Sequence, residues 1–388
     1  MGVVIQKYGG SSVADVDKLH LVAEKIAACK RAGNDVVVVV SAMGKTTDSL
    51  LSLAHSVNTE PPRRELDMLL STGERISMAL LSIAVQKLGL EAISFTGSQS
   101  GIITNDRHYD ARIIAVRPHR VEDELARGKV VILAGYQGMS YRREITTLSR
   151  GGSDTTALAM AAALGADRAE IYSDVDGVYS ADPRAVQGAQ HLPTLTYEEM
   201  QSMAHAGAKV LHSNAVEFAR KAGIDIHARS TFKPGRETHI SASGERRDVV
   251  AVVGRKQLLQ VTMPASDWRQ SLEAMQIQGA SILDPEVNEE TGRLSVDLAK
   301  TPEWEAVKAS LPVSAKVSAP MGRITVVGSG LLEHNVSPRL LHEAWLSHGI
   351  ATRQLRCSPT LIHATVEEVD TDNAVQVAHD LYLGPATS

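Results

Sequence analysis

Cysteine is scarce in this chain of 388 residues, which has only Cys29 and Cys357. The two are far apart, and neither has a Cys or His partner at the spacing of a metal site, so we interpret both as ordinary half-buried thiols. So little cysteine is typical of a protein from a reducing compartment. No charged-then-apolar segment opens the chain, and no apolar run approaches the ~18 residues of a membrane span. We therefore expect a cytoplasmic protein that does not contact membranes.

The chain also lacks an excess of basic residues. Lys and Arg total 40 against 45 Asp and Glu, which gives a formal net charge of −5. Because a nucleic-acid binder needs a clustered basic excess, this balance argues against nucleic acid as a partner. Hydrophobic residues make up 43% of the chain. A chain of this length and content is expected to form two or three domains with packed cores.

Apolar runs alternate with helical patterns through about the first 240 residues. The run at 36–40 is five consecutive valines, and such a run is typical of a strand buried on both faces of a parallel sheet. A helical spacing of apolar residues precedes it, between residues 19 and 27. Further strand-like runs lie at residues 5–8, 92–95, 130–134 and 169–172. This alternation predicts a doubly wound α/β domain over residues 1–245.

The pattern changes beyond residue 245. From Arg323 to Tyr382 the patterns predict strand, helix, strand, strand and helix, which describes a compact α+β module. The stretch before it is a weaker copy, with strand patterns at 249–253 and 258–262 and a helix pattern at 268–276. We therefore predict a first small module over residues 246–318 and a second over residues 319–388.

Two segments of the α/β domain carry the clearest chemical signals. Residues 148–157 (Leu-Ser-Arg-Gly-Gly-Ser-Asp-Thr-Thr-Ala) place an arginine and two glycines where an alanine-rich helix begins, an arrangement that binds anions. Residues 171–184 (Ile-Tyr-Ser-Asp-Val-Asp-Gly-Val-Tyr-Ser-Ala-Asp-Pro-Arg) place acidic and aromatic residues at a strand end, where nucleotides bind in α/β sheets. Together the two segments predict phosphoryl transfer.

A partial phosphate-binding loop follows the valine strand. Gly44, Lys45 and Thr46 match the end of the Walker A pattern, but the glycine required five positions before Gly44 is Val39. The loop is therefore too short to wrap a triphosphate. A basic strand end rich in hydroxyl groups can still contact a substrate.

Seven motifs follow one another in the first 240 residues. They are 7–12 (Lys-Tyr-Gly-Gly-Ser-Ser), 41–50 (Ser-Ala-Met-Gly-Lys-Thr-Thr-Asp-Ser-Leu), 71–74 (Ser-Thr-Gly-Glu), 135–138 (Gly-Tyr-Gln-Gly), 146–156, 172–184 and 207–212 (Gly-Ala-Lys-Val-Leu-His). In this unbroken order they resemble the aspartokinase branch of the amino acid kinase family. The tail resembles the paired ACT regulatory domains of the same enzymes, less faithfully.

The resemblance implies an amino-acid-kinase-like, mostly parallel sheet followed by two ACT-like modules. It implies ATP-dependent phosphorylation of the L-aspartate side-chain carboxylate to 4-phospho-L-aspartate and ADP, the first step of aspartate-family amino acid biosynthesis, including lysine and threonine. It also implies a homodimer or higher homo-oligomer formed through the ACT-like modules. Mg²⁺ is expected with ATP, bound mainly by phosphate oxygens and water, so no protein metal site is predicted.

The expected catalytic groups are cationic or backbone groups. A carboxylate is already a nucleophile at pH 7, so catalysis reduces to aligning two anions and offsetting their repulsion. Lys7 can bridge the β- and γ-phosphates, and Gly9 and Gly10 let backbone amides approach the transferred phosphoryl group. The resemblance assigns Asp154 to orienting the catalytic cations.

The expected substrate groups recognise an amino acid. Arg150 can form two parallel hydrogen bonds with a carboxylate, and Glu74 suits either the α-ammonium group or an active-site lysine. The resemblance adds Ser41, Thr47 and Ser153 to this set.

The expected nucleotide groups follow the strand at residues 169–172. Asp176 is either one of these groups or a turn residue before Gly177. The imidazoles of His108, His205 and His212 have no part in this chemistry, and we interpret them as structural. The resemblance places the nucleotide against Lys7, Ser173, Asp174, Tyr179, Asp182 and Arg184, with Lys209 reaching a phosphate.

The chain departs from the family at a few positions. Ser149 replaces a usual glycine, and residues 212–214 (His-Ser-Asn) replace a more typical His-Pro-Arg. The first module lacks the Pro-Gly pair of an effector loop and carries Trp268 there, and residues 331–338 of the second are equally unlike the family. A loop that has lost such a glycine cannot let its backbone approach a ligand closely, so we expect feedback inhibition by lysine or threonine to be weak or absent. Two alternatives remain open: a kinase for another amino-acid carboxylate, and a non-catalytic ACT-domain sensor.

Overall fold

The structure is a computed structural model that describes residues 2–149, 151–244, 247–301, 303–332 and 336–384. Arg150, predicted to bind the substrate, therefore lies outside the described residues. The chain divides into two compact units. The first comprises Met1–Val178, His191–Ala204 and Lys209–Glu245, and the second comprises Tyr179–Gln190, His205–Ala208 and Arg246–Ser388.

Up to residue 244, strands and helices alternate as the sequence predicts. The strands are β1 (Val3–Tyr8), β2 (Asp35–Val40), β3 (Ala92–Phe95), β4 (Ile102–Thr104), β5 (Ile113–Val116), β6 (Val130–Ala134), β7 (Gln137–Ser140), β8 (Ile145–Thr147), β9 (Arg168–Ser173), β10 (Val178–Tyr179), β11 (His191–Leu192), β12 (Thr194–Thr196), β13 (Asp225–Ser230) and β14 (Glu237–Ser241). The helices are α1 (Val16–Arg31), α2 (Thr46–Val57), α3 (Arg63–Leu70), α4 (Thr72–Lys87), α5 (His119–Ala126), α6 (Gly152–Leu164), α7 (Tyr197–Ala206) and α8 (Ser213–Ala222).

The first unit is built on an eight-stranded sheet with the order β12-β14-β13-β9-β1-β2-β6-β3. Every neighbouring pair is parallel except β13 and β14. All five valines of β2 are fully buried, because the strand lies inside the sheet and both of its faces are covered. The predicted doubly wound α/β fold is confirmed.

The carboxyl ends of the central strands carry the predicted motifs. In the parallel register Tyr8 lies beside Val40 and Tyr172, so the segments that follow β1, β2 and β9 leave the sheet at the same edge. This edge is where open α/β sheets bind their ligands.

A second, four-stranded sheet of the first unit has the order β5-β4-β7-β8. The sequence analysis did not predict it, because its strands are three or four residues long and too short to show a periodicity. Strand β8 ends at Thr147, three residues before Arg150. The chain therefore passes from this sheet through the predicted anion-binding segment to the start of α6.

Helices α3 and α4 together form a helical stretch, Arg63–Lys87, which contains an 18-residue window long and apolar enough to cross a membrane. More than half of its most apolar 18-residue window is buried inside the protein. The stretch also contains the buried carboxylates Asp67 and Glu74. It therefore has the character of a core helix pair in a folded domain.

From residue 247 on, the second unit forms one seven-stranded sheet. Its path is β16-β17-β15-β19-β21-β20, and β18 pairs with β15 beside this path. The strands are β15 (Ala251–Pro264), β16 (Ile282–Val287), β17 (Thr291–Asp297), β18 (Lys316–Val317), β19 (Met321–Val327), β20 (Gln354–Cys357) and β21 (Leu361–Glu367), and the helices are α9 (Trp268–Ile277), α10 (Trp304–Ala309), α11 (Pro338–Ser347) and α12 (Thr371–Leu383).

Strand β15 joins the two halves of the tail. The sequence predicts two strands at 249–253 and 258–262, whereas the structure has one strand with an irregular register between Arg255 and Leu258. Residues before this irregularity pair with β19, residues after it pair with β17, and Leu258 pairs with both strands. Gln257, within it, has a φ of 60°. A bulge of this kind bends and twists a strand without ending it, which the sequence patterns do not reveal.

Two separate apolar cores lie on the tail sheet. One contains Val261, Met275, Leu294 and Val307. The other surrounds Trp345, whose indole is fully buried and donates a hydrogen bond to the Ala374 carbonyl at 2.9 Å. The tail therefore has two α+β halves that share one sheet, and the fold class predicted for it is confirmed.

Candidate active site

Lys7 and Asp154 form an ion pair at the carboxyl edge of the main sheet. The Lys7 Nζ lies 2.7 Å from Asp154 Oδ1, and the two side chains are 12% and 10% exposed. Lys7 is near the end of β1, and Asp154 is in the first turn of α6. A buried ion pair of this kind requires both partners, because either charge alone is costly to bury. The amine is therefore held at one point of the edge.

The glycines after β1 pack against the loop that follows β2. The Gly44 N–H donates to the Gly10 carbonyl at 3.0 Å. A β-carbon on Gly10 would lie 2.9 Å from the Ala42 carbonyl oxygen, closer than side chains tolerate. Gly9 donates its N–H to the Tyr172 carbonyl at 3.2 Å. Gly10 is thus required by a close approach of two backbones, which brings the β1 and β2 loops together.

The start of α6 lies against the end of β2. The Ser41 hydroxyl donates to the Ser153 hydroxyl at 3.0 Å. Gly151, the N-cap of α6, has a φ of 79°, a conformation that favours glycine. A β-carbon on Gly135 would lie 2.7 Å from Ser153 Oγ. The helix N-terminus, whose backbone N–H groups favour anions, therefore sits within the same cluster as Lys7.

Glu74 is a buried carboxylate in the first turn of α4. It is 3% exposed, and its Oε1 accepts a hydrogen bond from the Ala42 N–H at 3.1 Å. Its Oε2 is buried without a hydrogen-bond partner. Burial raises the pKa of this carboxyl to about 7, although the backbone hydrogen bonds lower it. The free oxygen can accept a hydrogen bond from a cationic group that binds here.

These contacts connect most of the predicted substrate and catalytic residues. Ser41 and Ala42 link the Lys7–Asp154 pair, through Ser153, to Glu74. Thr47 is the second residue of α2 and is half-buried, and Arg150 lies outside the described residues. Six described members of the set form one continuous cluster of first-unit residues: Lys7, Gly10, Ser41, Glu74, Ser153 and Asp154.

Tyr136 belongs beside this cluster, although the sequence analysis gave it no role. It has a φ of 67°, and a β-carbon on Gly152 would lie 2.9 Å from its ring. Burial raises the pKa of its phenol well above the ordinary value, although a hydrogen bond with Thr147 lowers it, and the charges of Glu74 and Asp67 raise it further. The sequence feature that could have indicated a role for Tyr136 is its position between the glycines of the 135–138 motif.

The predicted nucleotide residues of the first unit lie at the end of β9 and directly after it. Ser173 exchanges hydrogen bonds with the backbone of Val175, at 3.2 Å to its N–H and 3.3 Å to its carbonyl. Asp174 is exposed. Asp176 lies 3.9 Å from Arg236, and the next residue, Gly177, has a φ of 131°. The positive φ of Gly177 favours the interpretation of Asp176 as a turn residue.

The remaining nucleotide residues are exposed or half-buried. Asp182 and Arg184, in the second unit, form a bidentate ion pair with distances of 2.8 and 3.0 Å, and Tyr179 is half-buried. Lys209, in the first unit after α7, is exposed. The assignment of all four to the nucleotide remains a prediction.

Two of the three histidines make local packing or hydrogen-bond contacts in the first unit. His108 donates a hydrogen bond from Nδ1 to Asp67 Oδ2 at 2.6 Å. His212 packs against Gly151, and a β-carbon on Gly151 would lie 2.8 Å from the Cβ of His212. His205 is exposed at the end of α7.

The serine that replaces a usual glycine before Arg150 is compatible with its backbone. Ser149 is not one of the described non-glycine residues with a left-handed backbone, which are Tyr109, Tyr136, Arg143, Gln257 and Asp284. A β-carbon at position 149 therefore causes no backbone strain.

The sequence model of the amino acid kinase family matches residues 2–230, which is the part of the chain that carries this cluster. The aspartokinase of Mycolicibacterium smegmatis is 41% identical over 405 residues, covering 98% of this chain and 96% of that protein. The chain belongs to the aspartokinase branch of the amino acid kinase family.

Two further comparisons extend this result to the whole length of the chain. The aspartokinase of Corynebacterium glutamicum is 41% identical over 409 residues, covering 98% of this chain and 96% of that protein. The crystal structure of Escherichia coli aspartokinase III in complex with aspartate and ADP superposes with a TM-score of 0.84, covering 97% of this chain and 99% of that one, at 21% identity. The aspartokinase fold therefore includes the divergent tail.

A resident metal site is not apparent in the described ranges. Within them, no group of three or more His, Cys, Asp or Glu side chains is arranged to hold a metal ion. Asp154, at the start of α6, is already paired with Lys7.

Proposed function

We propose that this chain transfers the γ-phosphoryl group of MgATP to the side-chain carboxylate of L-aspartate, forming 4-phospho-L-aspartate and ADP. The observation that carries the proposal is the position of the buried Lys7–Asp154 pair, in one contact cluster with Glu74 and its unpartnered Oε2. The first group suits a phosphoryl group and the second an amino group. The aspartokinase relatives, and the aspartate and ADP bound by the Escherichia coli enzyme, support the same reaction.

The reaction moves one phosphoryl group and no proton. A carboxylate oxygen of aspartate bonds to the γ-phosphorus while the bond from that phosphorus to the bridging oxygen of ADP breaks, and the electron pair leaves with ADP. Lys7 offsets the charge on the transferred group, with Asp154 holding its amine in place. Gly9 and Gly10 allow the backbone to come close to the phosphoryl group, and the N-terminus of α6 adds N–H donors near Ser153.

The amino-acid end is recognised by charge. Glu74 accepts a hydrogen bond from the α-ammonium group at Oε2, the oxygen left free by the Ala42 N–H. Arg150, directly before the N-cap of α6, pairs with a carboxylate of the substrate through two parallel hydrogen bonds. Ser41 and Thr47 supply hydroxyl contacts. An α-amino dicarboxylate satisfies these groups together.

The nucleotide is assigned to the residues after β9. Ser173, Asp174, Tyr179, Asp182 and Arg184 bind it in this proposal, and Lys209 reaches a phosphate. When bound with ATP, Mg²⁺ would supply positive charge at the reacting phosphate, and none of this chain's residues is assigned to hold it.

The proposal also covers the setting of the enzyme. We place it in the cytoplasm, in the biosynthesis of lysine and threonine, as a homodimer or higher homo-oligomer formed through the tail modules 246–318 and 319–388. Feedback inhibition by lysine or threonine is weak or absent, because Trp268 fills the start of the first module. A β-carbon on Gly292 would lie 2.1 Å from its ring, so the indole rests directly on the backbone of β17.

The direct test is an ATP-dependent hydroxamate assay across aspartate, glutamate and close analogues. We expect turnover with aspartate and at least tenfold lower kcat/KM with glutamate, since an extra methylene displaces the reacting carboxylate. Preferred turnover of another amino acid would replace aspartate as the substrate. No turnover with any amino acid, from a protein with a cooperative thermal transition, would favour the non-catalytic sensor.

A further inference from the structure

A second buried carboxylate, Asp67 of α3, lies close to the candidate active site, and the mechanism above does not use it. Its side chain is fully buried. It accepts hydrogen bonds from His108 Nδ1 at 2.6 Å, from the Tyr109 N–H at 3.0 Å and from the Thr147 hydroxyl at 2.5 Å. The three donors come from two separate chain segments, the loop between β4 and β5 and the end of β8. One carboxylate thus joins α3 to both.

The end of β8 leads directly to the predicted carboxylate-binding segment. Thr147 is the last residue of β8, and its carbonyl accepts the Ala111 N–H at 3.0 Å. The next residue, Leu148, donates its N–H to the Tyr136 carbonyl at 2.8 Å. Two residues later comes Arg150. The backbone that enters this segment is thus held by Asp67 through a side chain and by two backbone hydrogen bonds.

The other end of α3 leads directly to Glu74. The Asp67 carbonyl accepts the Ser71 N–H at 3.1 Å, and the Ser71 carbonyl accepts a hydrogen bond from Gln137 Nε2 at 2.9 Å. Helix α4 begins at Thr72, and Glu74 is in its first turn. Asp67 therefore lies between the two segments that carry the proposed groups for the amino acid.

We propose that Asp67 is a positioning residue that sets the separation between Glu74 and the backbone at Thr147 and Leu148, which leads into the predicted carboxylate-binding segment, and so the affinity for the amino-acid substrate. The inference rests on the proposed function. Burial raises the pKa of the Asp67 carboxyl, and its hydrogen bonds with Thr147 and His108 lower it. A buried acceptor that loses such donors is costly, which ties the segments together.

The test compares Asp67→Ala and Thr147→Val with Thr147→Ser, which keeps the hydroxyl. Asp67→Ala is expected to raise the KM for aspartate at least about tenfold and Thr147→Val about threefold, since small displacements of binding groups weaken substrate alignment. Thr147→Ser is expected to stay within twofold of the parent. The KM for ATP is expected to stay within twofold in all three variants.

Glu199→Ala is the matched control for a merely structural effect. Glu199 is also buried, and its carboxylate accepts the Thr196 N–H at 2.8 Å at the start of α7. Its loss is expected to lower the melting temperature and leave the KM for aspartate unchanged. If Asp67→Ala behaves like Glu199→Ala, or raises both KM values equally, the positioning role of Asp67 is refuted.

Amide hydrogen exchange of the unliganded protein separates this inference from the proposed function. Asp67→Ala is expected to speed exchange at Tyr109, Ala111 and Leu148 at least tenfold while β1 and β2 remain protected. Unchanged exchange at these three amides would refute the inference, whatever the enzyme turns over. Absence of aspartate turnover in the parent protein would instead refute the proposed function.

Discussion

Close contacts to glycine have opposite consequences in the two units of this molecule. In the first unit, Gly10 allows the backbone after β1 to approach the Ala42 carbonyl, so that the loops carrying Lys7 and Ser41 meet. In the second unit, the bare backbone of Gly292 is covered by the indole of Trp268. The same residue type therefore helps to build a polar site in one unit and an apolar core in the other.

This difference shows which region is constrained by a ligand. A site for two anionic substrates needs cations and free N–H groups held at close range, and every close approach at the sheet edge serves that need. The start of α9 carries no such requirement, since its space is filled by a side chain. Changes at this sheet edge of the first unit should thus affect catalysis, and changes in the tail core should affect stability alone.

The largest expected effect follows from removing the Lys7 amine. Lys7→Met is expected to lower kcat at least about 10³-fold, because it removes the cation that offsets the charge on the transferred phosphoryl group. It also leaves Asp154 buried without its cation, at a cost to the free energy of unfolding of about 3–5 kcal/mol. The measurements are steady-state kinetics and urea unfolding.

The double variant Lys7→Met/Asp154→Asn separates the two effects. It removes the unpaired charge, so stability is expected to return toward the parent while activity remains lost. Recovery of activity together with stability would show that the Lys7–Asp154 pair serves stability alone. The first unit would then no longer differ from the tail core in this respect.

A β-carbon at each of the two glycines compares the units directly. Gly10→Ala is expected to lower kcat about 10- to 100-fold, since Ala42 must move with the loop that carries Ser41. Gly292→Ala is expected to cost about 1–3 kcal/mol of stability through overpacking against Trp268 and to leave kcat within twofold.

Trp268→Ala provides the control for the second substitution. It removes the ring that the new β-carbon would meet, so the cost of Gly292→Ala should fall in the double variant. A kcat changed more than tenfold by Gly292→Ala would break the comparison, because the tail core would then influence the chemistry.

The ionisation of Glu74 gives the first unit a specific dependence on pH. Its carboxyl has a pKa of 4.5 when unperturbed and about 7 in the folded protein, so between these values the folded state binds more protons. The free energy of unfolding therefore falls as pH rises from 4.5 to about 7, by roughly 3 kcal/mol. Glu74→Gln should remove this slope and exceed the parent in stability at pH 8.

The same ionisation should appear in substrate binding. Only the charged form of Glu74 pairs with an ammonium group, so kcat/KM for aspartate is expected to fall below about pH 7 in the parent. In Glu74→Gln the KM for aspartate should be raised about tenfold and lack this dependence. A parent profile that is flat from pH 6 to 8 would exclude the assigned role of Glu74.

The smallest expected effect is the response to amino-acid effectors. Millimolar lysine and threonine, added together, are expected to change activity by less than twofold, because Trp268 occupies the start of the first module. Strong inhibition at physiological concentrations would show that the tail keeps a ligand site despite its filled core.

Much of this arrangement could be predicted from the sequence, and the exceptions have a physical reason. The valine run of β2, the helix after Arg150 and the strand ending at Tyr172 show their periodicity or motif locally, so the parallel sheet and its functional edge were predicted. The four-stranded sheet was not, because three-residue strands have no measurable period. Asp67 was not recognised either, since an isolated aspartate in a helix gives no sign of partners 41 and 80 residues away.

The sequence by itself determined the family, the fold class and the residue types that carry the chemistry, because these are encoded by local patterns and motifs. The tertiary structure alone decided that Lys7 pairs with Asp154, that Glu74 keeps one oxygen unpartnered and that Trp268 covers Gly292. Each of these depends on a contact between segments distant in the chain. Such contacts are fixed only when burial removes water from both partners and leaves each with the other as its neighbour.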